Sequence, residues 1–375
     1  MDGAAEATTH GGLLLTRGHP GAVAAIAHAV RSERPPHALL VVGPRGVGKT
    51  TLALDLAAGL LCAADDPAAR PCRACPACRK VAAGNHPDLH LVEPEGAGEQ
   101  IRIAQVQQLI SALALTAMEG RFRVAVVTAA HRLNLDAQNA LLKTLEEPGP
   151  ATCLVLCADD SAALLPTVLS RAVRLRMAPL AIETLVQLLV AEGWAEASQA
   201  RALALASGGR PGTARTLSGR PEAVLARARI GRTLLSLVTA DRRARLAAAA
   251  DLVADAALVD AAMRGAVASS AARLEPVERR RAVLVIIDAW RELGRDLAVA
   301  ASGASGDGRG VRDLDQLEEL LALGRCVDRP ALHAFLDRLD RLMLAIDGYA
   351  NPELTLDHLL LAWPRAVDPA SRRVA

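Results

Sequence analysis

His37-Ala-Leu-Leu-Val-Val-Gly-Pro-Arg-Gly-Val-Gly-Lys-Thr-Thr51 is the stretch that decides the fold. An apolar run, Ala38 to Val42, meets Gly43-Pro-Arg-Gly-Val-Gly-Lys49-Thr50, and an Ala/Leu-rich helix follows. This is G-x-x-x-x-G-K-[ST] in the context it requires: a buried strand, a glycine-rich turn and a helix N-terminus. Gly43, Gly46 and Gly48 let successive backbone N–H groups converge on phosphate oxygens, and the helix dipole adds positive potential there. Lys49 is placed to reach β- and γ-phosphates and Thr50 to hold Mg²⁺, with Thr51 beside them. ATP or ADP is therefore the expected ligand. Hydrolysis is a separate matter, decided further along the chain.

Upstream, Gly18-His-Pro-Gly21 opens a helix over about Ala22 to Arg31, and residues 1–17 are expected to be a loose leader. Downstream, Leu89 to Val92 reads as a second strand, reached through Asn85-His-Pro-Asp88. A helix near Ile103 to Leu115 carries Val106, Leu109, Ile110 and Leu113 at helical spacing. Val124 to Val127 is fully apolar, as strands buried in a parallel sheet are. A helix from about Leu133 stops at Pro148, Cys153 to Cys157 gives a fourth strand, and Val173 to about Met177 a fifth. Strands alternating with helices predict an α/β module with a five-stranded parallel sheet and its ligand at the carboxyl ends of the strands. The strand signal vanishes near Pro179. The domains expected are therefore a nucleotide-binding module over 1–178, a small helical unit over 179–220 and an all-α domain over 221–375. The last has a breaker at Ser302–Gly310 and an unstructured tail from Asp368.

Cys62, Cys72, Cys75 and Cys78 form two C-x-x-C steps with an upstream fourth cysteine. That spacing, among Pro and Arg breakers, reads as a tetrahedral four-cysteine zinc knuckle inserted at 62–78. A closed four-sulfur shell leaves no position for water, so the role is structural. His86 and His90 are assigned to a turn and a strand face, because the four sulfurs already complete a shell.

With 375 residues, 51% of them apolar, the chain can build two or three domains with substantial cores. A net charge of +2 gives no global basic field on which to argue nucleic-acid binding. Of 43 Lys and Arg, only Lys49, Lys80 and Lys143 are lysine, and two of these fall inside motifs. No apolar run is long enough to span a membrane, residues 1–12 lack the apolar core of a signal peptide, and the clustered cysteines suit a reducing compartment. The expected location is cytoplasmic.

These motifs together resemble the clamp-loader subunits of bacterial DNA polymerase III, within the AAA+ class. The match runs from Gly18-His19 through the phosphate loop, the four-cysteine insert, Asn85-His-Pro-Asp88 and Asn139-Ala-Leu-Leu-Lys-Thr-Leu-Glu-Glu-Pro148. It continues through Leu165-Pro-Thr-Val-Leu-Ser-Arg171 to Ala350-Asn-Pro-Glu-Leu-Thr-Leu-Asp-His-Leu-Leu360. The resemblance implies an AAA+ module, a helical lid and a helical collar that oligomerises. A hydrolysing member would end its third strand in Asp-Glu, to orient Mg²⁺ and polarise water; here stand Thr128-Ala129. The polar sensor at the fourth strand's end falls at Ala158, next to Asp159, whose charge is wrong beside a γ-phosphate. The lid's sensor arginine aligns near Thr213, with Arg210 and Arg215 close by. The resemblance thus implies a hydrolytically silent stator with weak or product-like nucleotide occupancy. Ser170-Arg171 resembles the family's trans-acting arginine finger, with Ala172 where the family usually has Cys.

The implied partners are the gamma/tau ATPase subunits and the delta subunit, and through the complex the sliding clamp and primer–template DNA. The chain would work inside a DNA-directed DNA polymerase, a nucleotidyltransferase, without ATPase of its own. The chief alternative is an active gamma/tau-type ATPase; Asp136 lies too far along to replace the missing pair. A zinc-dependent nucleic-acid binder would need Arg70, Arg73, Arg79 and Lys80 as a basic surface. Glu146 and Glu147, adjacent on a helix, face different ways and read as packing or interface residues, and Trp290 as a core or interface anchor.

Overall fold

The computed structural model describes residues 13–95, 100–266, 274–302, 317–347 and 350–366. Most of the Ser302–Gly310 breaker and the tail from Asp368 lie outside the described residues. The chain divides into two compact units, one of Met1–Leu180 with Arg210–Gly212, the other of Ala181–Gly209 with Thr213–Ala375.

The first unit is built on β1 (Ala38–Val42), β2 (Leu89–Val92), β3 (Arg123–Val127), β4 (Thr152–Ala158) and β5 (Val173–Arg176). All pairings are parallel, in the order β2-β3-β4-β1-β5. β3 and β4 are buried at every position, which is why they read as unbroken apolar runs rather than alternating ones. β5 is an edge strand with three exposed positions, two of them Arg174 and Arg176; charge on an edge blunts pairing with other chains.

On one face of the sheet pack α1 (Pro20–Arg31) and α2 (Lys49–Leu61), joined by Leu39, Val41, Val124, Val126 and Val155 in one core. α2 is buried almost all round. A Cβ at Gly59 would collide with Val30, so the two helices cross at a distance only glycine allows. A short helix, α3 (Pro76–Ala82), packs on α2. The other face carries α4 (Ile103–Leu113), α5 (Leu135–Glu146) and α6 (Pro166–Leu169) over Leu40, Ala125, Val127 and Leu156. Asn134 caps α5 by accepting from the Ala137 N–H at 2.8 Å.

Residues 13–17 are not the loose leader expected of them. The fully buried Asp55 of α2 accepts the Leu15 N–H at 3.0 Å, the Thr16 N–H at 2.7 Å and the Thr16 hydroxyl at 2.7 Å. Periodicity misses this because the anchor is a carboxylate inside an apolar helix, not an apolar face.

The second unit is helical: α7 (Ile182–Ala191), α8 (Ala197–Ala206), α9 (Pro211–Leu217), whose first two residues belong to the first unit, and α10 (Pro221–Ser236). Then follow α11 (Arg242–Ala247), α12 (Ala249–Arg264), α13 (Pro276–Ala301), α14 (Leu317–Cys326), α15 (Arg329–Asp347) and α16 (Pro352–Ala362). Its core closes on Trp290, Phe335 and Trp363, with ring centroids 4.9 to 6.0 Å apart. Trp290 is fully buried in that core. Arg245, also fully buried, donates to the Leu360 carbonyl in the last turn of α16 and to the Trp363 and Pro364 carbonyls just beyond it. Burial, with Arg365 nearby, lowers its guanidinium to about 10.

Candidate functional site

β1 delivers the chain into the phosphate loop, and α2 begins at Lys49. Gly46 and Gly48 adopt φ of +81° and +110°, a region closed to most side chains. A Cβ at Gly43 would strike the Met177 carbonyl. The three glycines of the motif therefore each answer to geometry. Gly48 is the N-cap of α2 and offers no capping side chain, so the first-turn N–H groups, those of Thr50 and Thr51 included, stay with the loop. His19 sets its Nε2 3.1 Å from the Val47 carbonyl, and burial lowers its pKa.

Lys49 is only 6% exposed, and its ammonium makes three hydrogen bonds. It donates to the Gly43 carbonyl at 2.7 Å, the Pro44 carbonyl at 3.0 Å and Asp159 Oδ1 at 2.7 Å. Register explains the last: β4 pairs with β1 so that Ala158 lies beside Val42, and the Gly43 N–H donates to the Ala158 carbonyl at 3.1 Å. The residue after β4 is thereby carried against the loop. Asp159 is held in turn by His131, whose Nδ1 accepts the Asp159 N–H at 3.2 Å and whose Nε2 lies 3.6 Å from Oδ2. Asp159 was legible as a charge of the wrong sign; its bond to Lys49 was not.

At the end of β3, Thr128 donates both its N–H (3.0 Å) and its hydroxyl (3.3 Å) to the Val92 carbonyl, and Ala129 follows. Asp136 sits exposed in the first turn of α5. Arg215 stacks over Trp194, 5.3 Å from the ring centroid, and Thr213 and Arg210 are buried.

Arg171 follows α6 and precedes β5 at the sheet edge. Its guanidinium pairs with Glu146 Oε1 at 2.6 Å and donates to the Thr167 carbonyl at 3.0 Å. Glu146, the last residue of α5, thus joins the two most specific motifs of the chain; Glu147 is the helix C-cap. No sequence spacing links positions 25 residues apart, one at a helix end and the other beyond a different helix.

The four cysteine sulfurs lie within 4.8 Å of one another, a group that could hold a metal ion. Each step is closed by an N–H to sulfur bond of 3.4 Å: Cys72 to Cys62, Cys75 to Cys72 and Cys78 to Cys75. The Ala74 and Cys75 N–H groups bring the Cys72 thiol down to about 6. Burial pushes Cys75 up, but N–H donors outweigh it and leave it lowered; burial raises Cys62 and Cys78. Arg73, inside the loop, ion-pairs with Asp55 and donates to the Leu13 carbonyl at 2.9 Å. The basic surface that a nucleic-acid binder would need is largely spent internally. Arg70 pairs with Glu33 at 2.6 Å, Arg73 with Asp55, and Lys80 with Glu119 at 2.7 Å. His86 and His90 stay outside the sulfur group. His86 Nδ1 accepts the Asp88 N–H at 3.1 Å, and His90 Nε2 faces Arg123 at 3.1 Å.

A glycine loop between a central parallel strand and a helix N-terminus, in a sheet ordered β2-β3-β4-β1-β5, defines an AAA+-type P-loop module. Residues 18–181 match the family described as DNA polymerase III, delta subunit. The chain is 44% identical over 188 residues to DNA polymerase III subunit delta' of Pseudomonas aeruginosa, covering 49% of this chain and 56% of that one. Against subunit delta' of Bacillus subtilis the identity is 37% over 153 residues, covering 41% and 45%. The tau subunit of Escherichia coli is 34% identical over 166 residues, covering 44% of this chain and 25% of its own. The chain thus spans about half the length of the delta' relatives it matches. Among the described residues no helix is long and apolar enough to cross a membrane.

Proposed function

We propose that the chain is the delta'-type stator of a bacterial DNA polymerase III clamp loader. In this reading its own nucleotide site is silent, and it lends Arg171 to the ATP site of a neighbouring subunit. The observation that carries the first half is the end of β3, where Thr128 and Ala129 offer neither a Mg²⁺-orienting carboxylate nor a base for water. The second half rests on Arg171 in Ser-Arg at a sheet edge, where, among the described residues, it ion-pairs with the half-exposed Glu146 alone. A surface ion pair of this kind contributes roughly 0–1 kcal/mol, so exchanging Glu146 for a phosphoryl group costs little. A guanidinium is always charged and planar, and bridges phosphoryl oxygens as charge spreads in transfer.

The partners in this reading are gamma/tau and delta subunits, acting on the sliding clamp at primed DNA in the cytoplasm. Residues 179–220 form the lid and 221–375 the collar. Zinc is the metal of the cysteine knuckle: a tetrahedron with Zn–S bonds of about 2.3 Å has edges of about 3.8 Å. The Cys62–Cys75 sulfur separation of 4.0 Å and the N–H donors that favour thiolates suit it.

The test is reconstitution with cognate gamma/tau, delta, clamp and primed DNA. In assembled complexes Arg171→Ala is expected to cut the stimulated ATPase of the facing site by about 10³-fold or more, as loss of an arginine finger does. An unchanged rate would make Arg171 structural. The tau likeness and the intact loop would then favour the alternative, an active gamma/tau-type ATPase, with Lys49→Ala as its own test.

A further inference from the structure

We propose that Asp159 is a built-in occupant of the γ-phosphate position, so that the loop takes nucleoside diphosphates in preference to triphosphates. This deepens the silent-site reading and rests on it. A lysine ammonium has three donors, and all three of Lys49 are engaged. Two go to the loop's own carbonyls, of Gly43 and Pro44; the third, at 2.7 Å, goes to an anion supplied by the protein itself.

That anion is held by the strand register and by His131. Its backbone follows β4 in register with β1, its N–H is taken by His131 Nδ1 at 3.2 Å, and its second oxygen faces His131 Nε2 at 3.6 Å. The accepted bond at Nδ1 places the imidazole proton on Nε2, toward the carboxylate. The next carboxylate, Asp160, turns into its own loop and accepts the Ala162 N–H at 2.9 Å. Of these two carboxylates, Asp159 is the one that meets the lysine.

A diphosphate can be held by the N–H groups of the loop and the first turn of α2 while Lys49 keeps its carboxylate. A third phosphate on Lys49 must either displace Asp159 or sit within a few ångströms of it. Like charges at that separation disfavour occupancy by about tenfold or more. The missing carboxylates at β3 would explain a site that binds ATP without cleaving it; the Lys49–Asp159 bond explains one that declines ATP.

The experiment is calorimetric titration of the full chain with ADP and with ATP, each with Mg²⁺, for wild type, Asp159→Asn and Lys49→Ala. The wild type is expected to bind ADP at least about tenfold more tightly than ATP. Asp159→Asn, which keeps shape and removes charge, is expected to shrink that ratio about tenfold, chiefly by tightening ATP. A wild type that binds neither nucleotide overturns the diphosphate preference. Equal or tighter ATP binding by wild type overturns it, as does an unchanged ratio in Asp159→Asn or no binding by either protein. The wild-type ratio needs no variant, so a poorly folded variant does not blunt the test. Loss of all binding in Lys49→Ala places the ligand at the loop. None of these outcomes depends on Arg171 or on a partner subunit, so the stator reading stands or falls separately.

Discussion

Asp88 performs no chemistry, yet it explains why Asn85-His-Pro-Asp88 has the sequence it has. Its fully buried carboxylate accepts the N–H groups of Met118, Glu119 and Gly120 at 2.7 to 2.8 Å, tying the turn before β3 to the turn before β2. Burial pushes its pKa up, but the three N–H donors and Arg123 outweigh that and leave it lowered. A depressed folded pKa means the carboxylate contributes stability above its ordinary titration range. That contribution is lost as pH falls through the lower, folded value. Asp88→Ala is expected to cost about 2–4 kcal/mol at neutral pH, since three buried donors lose their acceptor. Denaturant unfolding at pH 7 and pH 3 checks it: the difference between variant and wild type should shrink on acidification. A difference that persists at pH 3 would mean the carboxylate's charge is not what matters. The same contrast between type and partner holds at the nucleotide loop. Lys49, Asp159 and Arg171 could be picked out by motif, but that Asp159 holds Lys49 and Glu146 holds Arg171 depended on which strand and helix ends meet.

Among the elements, the cysteine loop does more than close on itself. Leu13 pairs with it in both directions, its N–H donating to the Pro71 carbonyl at 3.0 Å and its carbonyl accepting from Arg73. Asp55 then fixes residues 15 and 16. The knuckle thus fastens the segment that leads to His19 beside the phosphate loop. Removing the zinc proposed for the sulfur group with a chelator under reducing conditions is expected to speed amide exchange at Leu15 and Thr16 by an order of magnitude or more, while α5 stays protected. Unaltered exchange in protein shown to have lost its metal would separate the knuckle from the segment. None of this was visible in the leader's composition, because an isolated Asp in an apolar helix carries no pattern that names its partners.

The whole molecule has two compact units, each with its own core. Separate cores predict separate calorimetric transitions. Arg245→Ala, which removes the donor to carbonyls at and just beyond the end of α16, is expected to lower the transition of the helical unit by several degrees and leave the other in place. Asp88→Ala should do the reverse. A single transition shifted by both substitutions would show that the units melt as one. The parallel sheet was legible because buried parallel strands are continuous apolar runs, and five such runs alternate with helices. The helical half gave helix type but not packing: a 3.6-residue period shows which side of a helix is apolar, not which helix covers it. The glycine loop, the four-sulfur group and the missing carboxylates at β3 could be read from residues alone, because each is a matter of residue type at short spacing. That Lys49 faces Asp159, Arg171 faces Glu146 and Asp55 holds residues 15 and 16 came from packing. Those pairs are far apart in sequence, and the β1–β4 register and the α1–α2 and α5–α6 packing bring their ends together.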